Sequence, residues 1–151
     1  MFADFTPAAT GRGLYAAAEF LVPGTPDLPP TADNWVSESD GLRFTLAPDA
    51  PVRARAVVGL TLTVEAAGGG RPGPLELVMG AYAHLVAFDV ARSGFAHLHP
   101  EPVDRGAPPD VDRPQLKFRV QIPQPGRFVI WSQIKVGGRE RLAPFWFEVA
   151  P

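Results

Sequence analysis

The sequence predicts an all-β protein, an antiparallel immunoglobulin-like β-sandwich of about seven or more strands. Apolar and polar residues alternate over short stretches, which is the pattern of half-buried strands. Turn signals separate these stretches, because the chain contains 18 prolines and 15 glycines. No stretch has the apolar periodicity of a long helix, so many short strands joined by turns favour a sandwich.

Residues 1–33 are predicted to form an N-terminal strand and a linker that precede the sandwich. Leu14–Val22 is apolar and ends at a Pro-Gly pair, which favours a strand, and Thr25–Asp33 is a proline-rich linker. Residues 10–24 are also similar to residues 137–151, since both contain Gly-Arg followed by an apolar stretch. This similarity fits a remnant of a preceding, similar domain; the alternative is a chance likeness between two strands.

The sandwich domain is predicted to comprise residues 34–151. In the strand Gln115–Ile122, the alternation turns Leu116, Phe118 and Val120 inward. Pro100–Pro114 is predicted to be a long surface loop, because it holds five prolines and four acidic residues. The predicted strands are Leu42–Leu46, Val57–Val64, Leu75–Val78, Ala83–Asp89, Gly94–His99, Gln115–Ile122, Arg127–Val136 and Arg139–Val149.

The composition excludes several classes of function. The chain has 151 residues, of which 46% are hydrophobic, and this is typical of a soluble globular domain. Its formal net charge of −2 gives no basis for binding nucleic acid or an anionic membrane. No apolar run is long enough for membrane insertion. The absence of cysteine excludes disulfides, thiolate metal sites and cysteine nucleophiles.

The three histidines of the chain, His84, His97 and His99, fall within one short stretch. A four-residue hairpin loop at Val90–Ser93 would pair Val86 with His97, and His84 with His99. Because side chains alternate along a strand, all three imidazoles would then share one face, with directly opposed Cβ atoms about 4.5–5.5 Å apart. A slip of one residue would move one strand's side chains to the opposite face.

This arrangement predicts a histidine metal site, because neutral imidazole is the commonest metal ligand near pH 7. Three histidines alone suit Zn(II) or Cu(II), with an open position for water or an added ligand. Met79 is the candidate fourth ligand, and its thioether would favour Cu(I); packing in the core is the alternative. Glu101, Asp104 and Asp89 are candidate oxygen ligands or acceptors for an imidazole N–H in the second shell.

The stretch MGAYAHLVAFD…SGFAHLHP, followed by PGRFVIWSQIKVGGRERLAPFWFEV, resembles a segment of poorly characterised bacterial extracytoplasmic proteins with immunoglobulin-like sandwiches. Their pattern is a GxxxHLV strand, an HLHP segment and a closing Pro-Gly hairpin, matched here over about residues 55–150. They often accompany heavy-metal or copper-handling domains. The resemblance implies the same three histidines as the site. It also implies a periplasmic or secreted protein, although the N-terminus lacks the pattern of a signal peptide.

We therefore expect a non-catalytic metal-binding module for copper or zinc, since no general base is placed beside the histidines. Its expected partners are the metal ion and neighbouring domains or a metal-handling protein. The alternative is a structural or interaction module of a larger surface protein, in which the histidines are packed without metal. A third hypothesis is a metalloenzyme that uses the open coordination position.

Overall fold

The computed structural model describes residues 2–19, 23–24, 29–91, 95–101 and 108–151. These residues form strands, turns and loops, with no helix among them. None of the described segments supplies an apolar helix that could span a bilayer. The strands are β1 (Phe2–Phe5), β2 (Leu14–Ala17), β3 (Val36–Ser39), β4 (Leu42–Pro48), β5 (Val57–Ala66), β6 (Leu75–Glu76), β7 (Ala83–Asp89), β8 (Phe95–Leu98), β9 (Gln115–Gln121), β10 (Gly126–Val136) and β11 (Arg139–Val149).

Strands β3 to β11 form two antiparallel sheets with the strand order of an immunoglobulin-like fold. One sheet has the order β3-β4-β5-β9, and the other has the order β11-β10-β7-β8, with β6 paired to β10. When β4, β5 and β9 are taken as strands A, B and E, the second sheet has the order G-F-C-C′. The predicted immunoglobulin-like β-sandwich is therefore confirmed.

The core lies between the two sheets and is built by alternation along each strand. Leu116, Phe118 and Val120 of β9 are buried, as predicted. They belong to the same apolar cluster as Leu85 of β7 and Phe145 of β11 in the opposite sheet. Full burial of one such side chain stabilises the fold by about 1.5–3 kcal/mol. Because the inward side chains are packed in the core, the outward-facing positions are the ones available for a binding site.

Two elements differ from the sequence-based expectation. The short polar strand β3 was not predicted; it forms because Asp40 and Gly41 both adopt positive φ (50° and 77°) and turn the chain back onto β4. The predicted strand Leu75–Val78 is only two residues long as β6. It ends there because the chain enters a second tight turn, in which the hydrogen bonds between Val78 and Ala81 enclose two residues.

The N-terminal strands form a small sheet of their own. β1 and β2 pair with each other, and the described residues show no ladder from them to the sandwich. Leu14–Ala17 confirms a strand within the predicted Leu14–Val22, although every residue of β2 is exposed; residues 20–22 lie outside the described residues. The origin of this segment in a preceding domain stays a prediction.

The β7–β8 hairpin has the register that the sequence predicts. Val86 pairs with His97, and Leu85 pairs with Leu98. The β8 ladder ends at Leu98, so His99 follows the strand rather than belonging to it. Residues 92–93 of the predicted loop and Gly94 of the predicted strand lie outside the described residues. Because Leu85 is buried in the core, the alternate residues of β7 point away from it, toward the outer face of the sheet.

Candidate metal centre

The three histidines converge on the outer face of the β7–β8 hairpin. The ring centroids of His84 and His97 are 5.0 Å apart, those of His84 and His99 are 4.8 Å apart, and those of His97 and His99 are 4.7 Å apart. One ring nitrogen from each lies within 4.8 Å of the others. The rings therefore form a nearly equilateral triangle, as the predicted register requires. Within the described part of the chain, this is the group of histidine and carboxylate side chains whose spacing suits a metal ion.

His84 is the fixed member of the group, because its ring is buried and held at both nitrogens. Its side chain is 1% exposed although it points to the outer face of the sheet. Nε2 lies 2.8 Å from the carbonyl oxygen of Val78, and Nδ1 lies 2.9 Å from Nε2 of His97. A carbonyl oxygen only accepts, so the contact with Val78 places a proton on Nε2. In the neutral ring, Nδ1 then carries the lone pair and points toward His97.

His97 and His99 are progressively more accessible. His97 is half-buried on β8, where it pairs with Val86, and His99 is exposed just beyond the end of the strand. The site thus has a buried imidazole at one end, His84, and an exposed imidazole at the other end, His99. An ion could reach the site from the His99 side without displacing the core.

The environment favours the uncharged form of His84. Burial lowers the pKa of His84 below its usual value, and the neighbouring His97 lowers it further; the hydrogen bond to Val78 acts in the opposite direction. A positive charge on His84 would lie in a site with little water and beside another imidazole. At pH 7 His84 is therefore neutral, which is the form that can bind a metal.

The spacing of the nitrogens is close to that of a three-histidine metal site. Two nitrogens that bind one tetrahedral ion at about 2.0–2.1 Å lie about 3.3 Å apart. The His84–His97 pair, at 2.9 Å, needs only a small opening. All separations in the group are within 4.8 Å, so none must close by more than about 1.5 Å. Because His99 is exposed, its ring has room to move, so the three histidines could hold a metal ion.

Met79 lies in the turn beside the site, and its packing in the core is excluded. Its side chain is 70% exposed. Its backbone has φ 48° and that of Gly80 has φ 83°, so the two residues form the tight turn between Val78 and Ala81. The carbonyl of Val78 lies beyond the Nε2 edge of His84, whereas an ion would lie at the Nδ1 edge. Met79 therefore starts on the far side of the ring, and its role as a ligand stays a prediction.

Two of the three predicted acidic neighbours, Glu101 and Asp89, take other positions. Glu101 directs its carboxylate to Arg119 of β9, with 2.5 Å between Oε1 and Nε, rather than joining the histidine group. Asp89 lies on β7 at an odd-numbered position, so it points to the opposite face from His84 and is wrong as a neighbour of the ion. Asp104 lies outside the described residues. The second-shell role of Asp104 stays a prediction.

The group that sequence reasoning missed is the backbone carbonyl of Val78. It takes the place that the carboxylates were predicted to take, because it accepts the imidazole N–H of His84 at 2.8 Å. Such a partner fixes the tautomer and orientation of a metal-binding histidine. The one available sequence signal was the Met79-Gly80 pair, since a glycine in a two-residue turn would have indicated that the chain folds back here.

Residues 37–151 match the model of a protein family described as "Domain of unknown function (DUF8832)", and the chain belongs to this family. The matched region contains all three histidines. A crystal structure described as that of "a Putative Lipoprotein from Bacillus anthracis" is similar at a TM-score of 0.37, with 13% sequence identity, over 77% of this chain and 86% of that chain. This similarity is too distant to bear on function. The comparison with curated proteins gives no match.

Proposed function

We propose that this member of DUF8832 is a non-catalytic metal-binding β-sandwich module that holds one copper or zinc ion. The ligands are His84, His97 and His99. One observation carries the proposal: a ring nitrogen of each histidine lies within 4.8 Å of the others. Three imidazoles brought together in this way form a donor set that both ions accept.

The hydrogen bonds of the site support a choice of the nitrogen atoms that would bind the ion. His84 binds through Nδ1, because its Nε2–H is donated to Val78. His97 binds through Nε2, which already faces His84 at 2.9 Å. His97 then carries its proton on Nδ1, so the ion replaces the direct imidazole–imidazole contact. The carbonyl of Val78 polarises the Nε2–H bond of His84. This makes the lone pair of Nδ1 a better metal ligand.

The exposed side of the site suits transfer of the ion better than its permanent storage. The buried His84 binds the ion on the protein side, and the exposed His99 binds it on the solvent side. A fourth position stays open for water, for Met79 or for a ligand side chain of a metal-handling partner. A location outside the cytoplasm is part of this proposal and rests on the resemblance of the histidine segment.

A structural module without metal is the second candidate. Its supporting observation is that both ring nitrogens of His84 already have partners, namely His97 and Val78. A buried polar side chain whose hydrogen bonds are satisfied needs no ion to be stable. Exposed apolar side chains on the same sheet, including Trp131 and Leu142 at 37% and 53% exposure, would then serve contacts with another protein.

Calorimetric titration of the chelator-treated protein with Zn(II), Cu(II) and, without oxygen, Cu(I) separates the two candidates. The chain has three histidines and no cysteine, so any binding through imidazole or thiolate groups must occur at these three histidines. We expect one ion per chain with a dissociation constant below about 1 μM, lost in the His84→Ala/His99→Ala variant. An excess of about 100 times the dissociation constant should also stabilise the protein by about 2.7 kcal/mol.

The single variant His99→Ala guards against a folding artefact, because His99 is exposed and lies outside the strands. This variant should keep the circular dichroism spectrum of the wild type but bind metal more weakly than the wild type. If the folded wild-type protein binds none of the three ions at these concentrations, the metal proposal is wrong and the structural module stands.

A further inference from the structure

The segment that carries His99 crosses from one sheet to the other and is held at both ends. At one end Leu98 pairs with Leu85 in the β7–β8 ladder. At the other end the backbone N–H of Glu101 donates to the carbonyl oxygen of Lys117 on β9, at 2.7 Å. Only His99 and Pro100 lie between these two fixed points. The backbone of His99 is therefore constrained even though its imidazole is exposed.

Glu101 is fixed a second time, through its side chain. Its Oε1 atom accepts a hydrogen bond from Nε of Arg119, at 2.5 Å, and the two groups form an ion pair. This hydrogen bond, together with the charge of Glu101, raises the pKa of Arg119. Pro100 is buried, and its ring fixes φ near −65°, which removes much of the remaining freedom of the segment.

We propose that Glu101 and Arg119 form a clamp that positions His99 for the ion. The inference rests on the metal-binding function proposed above. A ligand on a free loop must be ordered when the ion binds, and this ordering lowers the affinity. Because Arg119 lies on the opposite sheet, the clamp orders the segment before the ion binds. Glu101 thus acts on the site as a positioning residue through the backbone, whereas the sequence had suggested direct contact with an imidazole.

The test compares the Zn(II) affinity of wild type, Arg119→Ala and Arg43→Ala. Arg43 provides a matched control, because it also makes an exposed ion pair on the same sheet, 3.4 Å from Glu38. Exposed ion pairs contribute modestly, so we expect Arg119→Ala to bind Zn(II) about threefold to fivefold more weakly. Arg43→Ala should match the wild type, and Glu101→Gln should repeat the effect of Arg119→Ala.

A second set of variants distinguishes positioning from a general structural effect. In a His99→Ala background, Arg119→Ala should cause no further loss of affinity, because the clamp acts through His99. Cu(II) electron paramagnetic resonance should show three coordinated imidazole nitrogens in the wild type and two in a share of Arg119→Ala molecules. Arg119→Lys, which keeps the charge, should restore part of the affinity.

The outcomes are distinguishable. If the wild type binds Zn(II) and Arg119→Ala binds it equally well, the clamp is wrong and the metal site stands. If Arg119→Ala weakens binding by the same factor with and without His99, the effect is structural and the clamp is again wrong. If the folded wild type binds neither Zn(II) nor Cu(II), the metal site and the clamp both fall.

Discussion

The outward faces of the two sheets are built on different principles. On β9 every outward residue is exposed, and the set is wholly polar or charged: Gln115, Lys117, Arg119 and Gln121. On β7 the outward residues are His84, Val86 and Phe88; the first is buried and the other two are half-buried. Simple alternation between core and solvent explains β9, whereas β7 is covered on both sides.

The difference shows what is needed to bury a polar residue on an outer face. His84 is covered by the turn that carries Val78 and by the imidazole of His97, and both of these groups hydrogen-bond to its ring. Burial of a polar side chain without such partners costs stability. The outer face of β7 is therefore shielded from water at His84, whereas the site stays exposed at His99.

The largest effect is expected for His84→Ala. It should lower metal affinity by more than about 100-fold, since losing a ligand exceeds the typical loss of a supporting group. It should also lower the free energy of unfolding of the metal-free protein by about 1–3 kcal/mol, because the carbonyl of Val78 loses its donor. Urea unfolding and Zn(II) titration measure the two effects.

The matched control on the other sheet is Lys117→Ala, which changes an outward residue of β9. Its free energy of unfolding should stay within about 0.5 kcal/mol of the wild type, as is usual for surface substitutions. Equal destabilisation by Lys117→Ala and His84→Ala would mean that the two outer faces do not differ as described.

A smaller effect is expected from pH on the metal-free protein. Because burial lowers the pKa of His84 in the folded state, the unfolded chain binds its proton more readily. The free energy of unfolding should therefore fall as pH decreases below about 6.5, the value for unfolded histidine, and level off above it. Urea unfolding of wild type and His84→Gln across this range measures the difference between the two curves.

The contribution of His84 is the part of that pH dependence that disappears in His84→Gln. Carboxylates far from His84 are common to both proteins, so their effects cancel in the difference. Identical pH curves for the two proteins would contradict a buried, neutral His84.

The smallest effect is expected for Met79→Leu. Met79 lies next to Val78, on the Nε2 side of His84, whereas the proposed ion would lie on the Nδ1 side. Zn(II) affinity should change by no more than about twofold, since a thioether adds little for this ion. A loss of Cu(I) affinity of about tenfold or more would instead identify Met79 as a ligand for the softer ion.

The hairpin and its histidines could be predicted because their determinants are local. Alternation assigns His84, Val86 and Phe88 to one face, and the short loop sets the pairing of Val86 with His97. These two facts suffice to bring the three imidazoles together. The carbonyl of Val78 could not be predicted in the same way, because a backbone acceptor has no side-chain signature and its position depends on a tight turn.

Glu101 shows the second limit of prediction. Its place next to the histidine segment suggested direct contact with an imidazole. Its partner, Arg119, lies on the opposite sheet, and the ion pair turns the carboxylate away from the site. Which of two nearby polar groups a carboxylate meets depends on how the sheets pack, and this is not encoded in local spacing.

The sequence by itself determined the all-β class, the inward residues of β9, the hairpin register and the shared face of the three histidines. All of these follow from a period of two residues and from short turns, which act over a few residues. Only the tertiary structure decided that His84 is buried, that its Nδ1 atom faces His97, and that Glu101 pairs with Arg119 of the opposite sheet. The reason is that burial and hydrogen-bond partners depend on groups brought together by sheet packing, which is a long-range property of the chain.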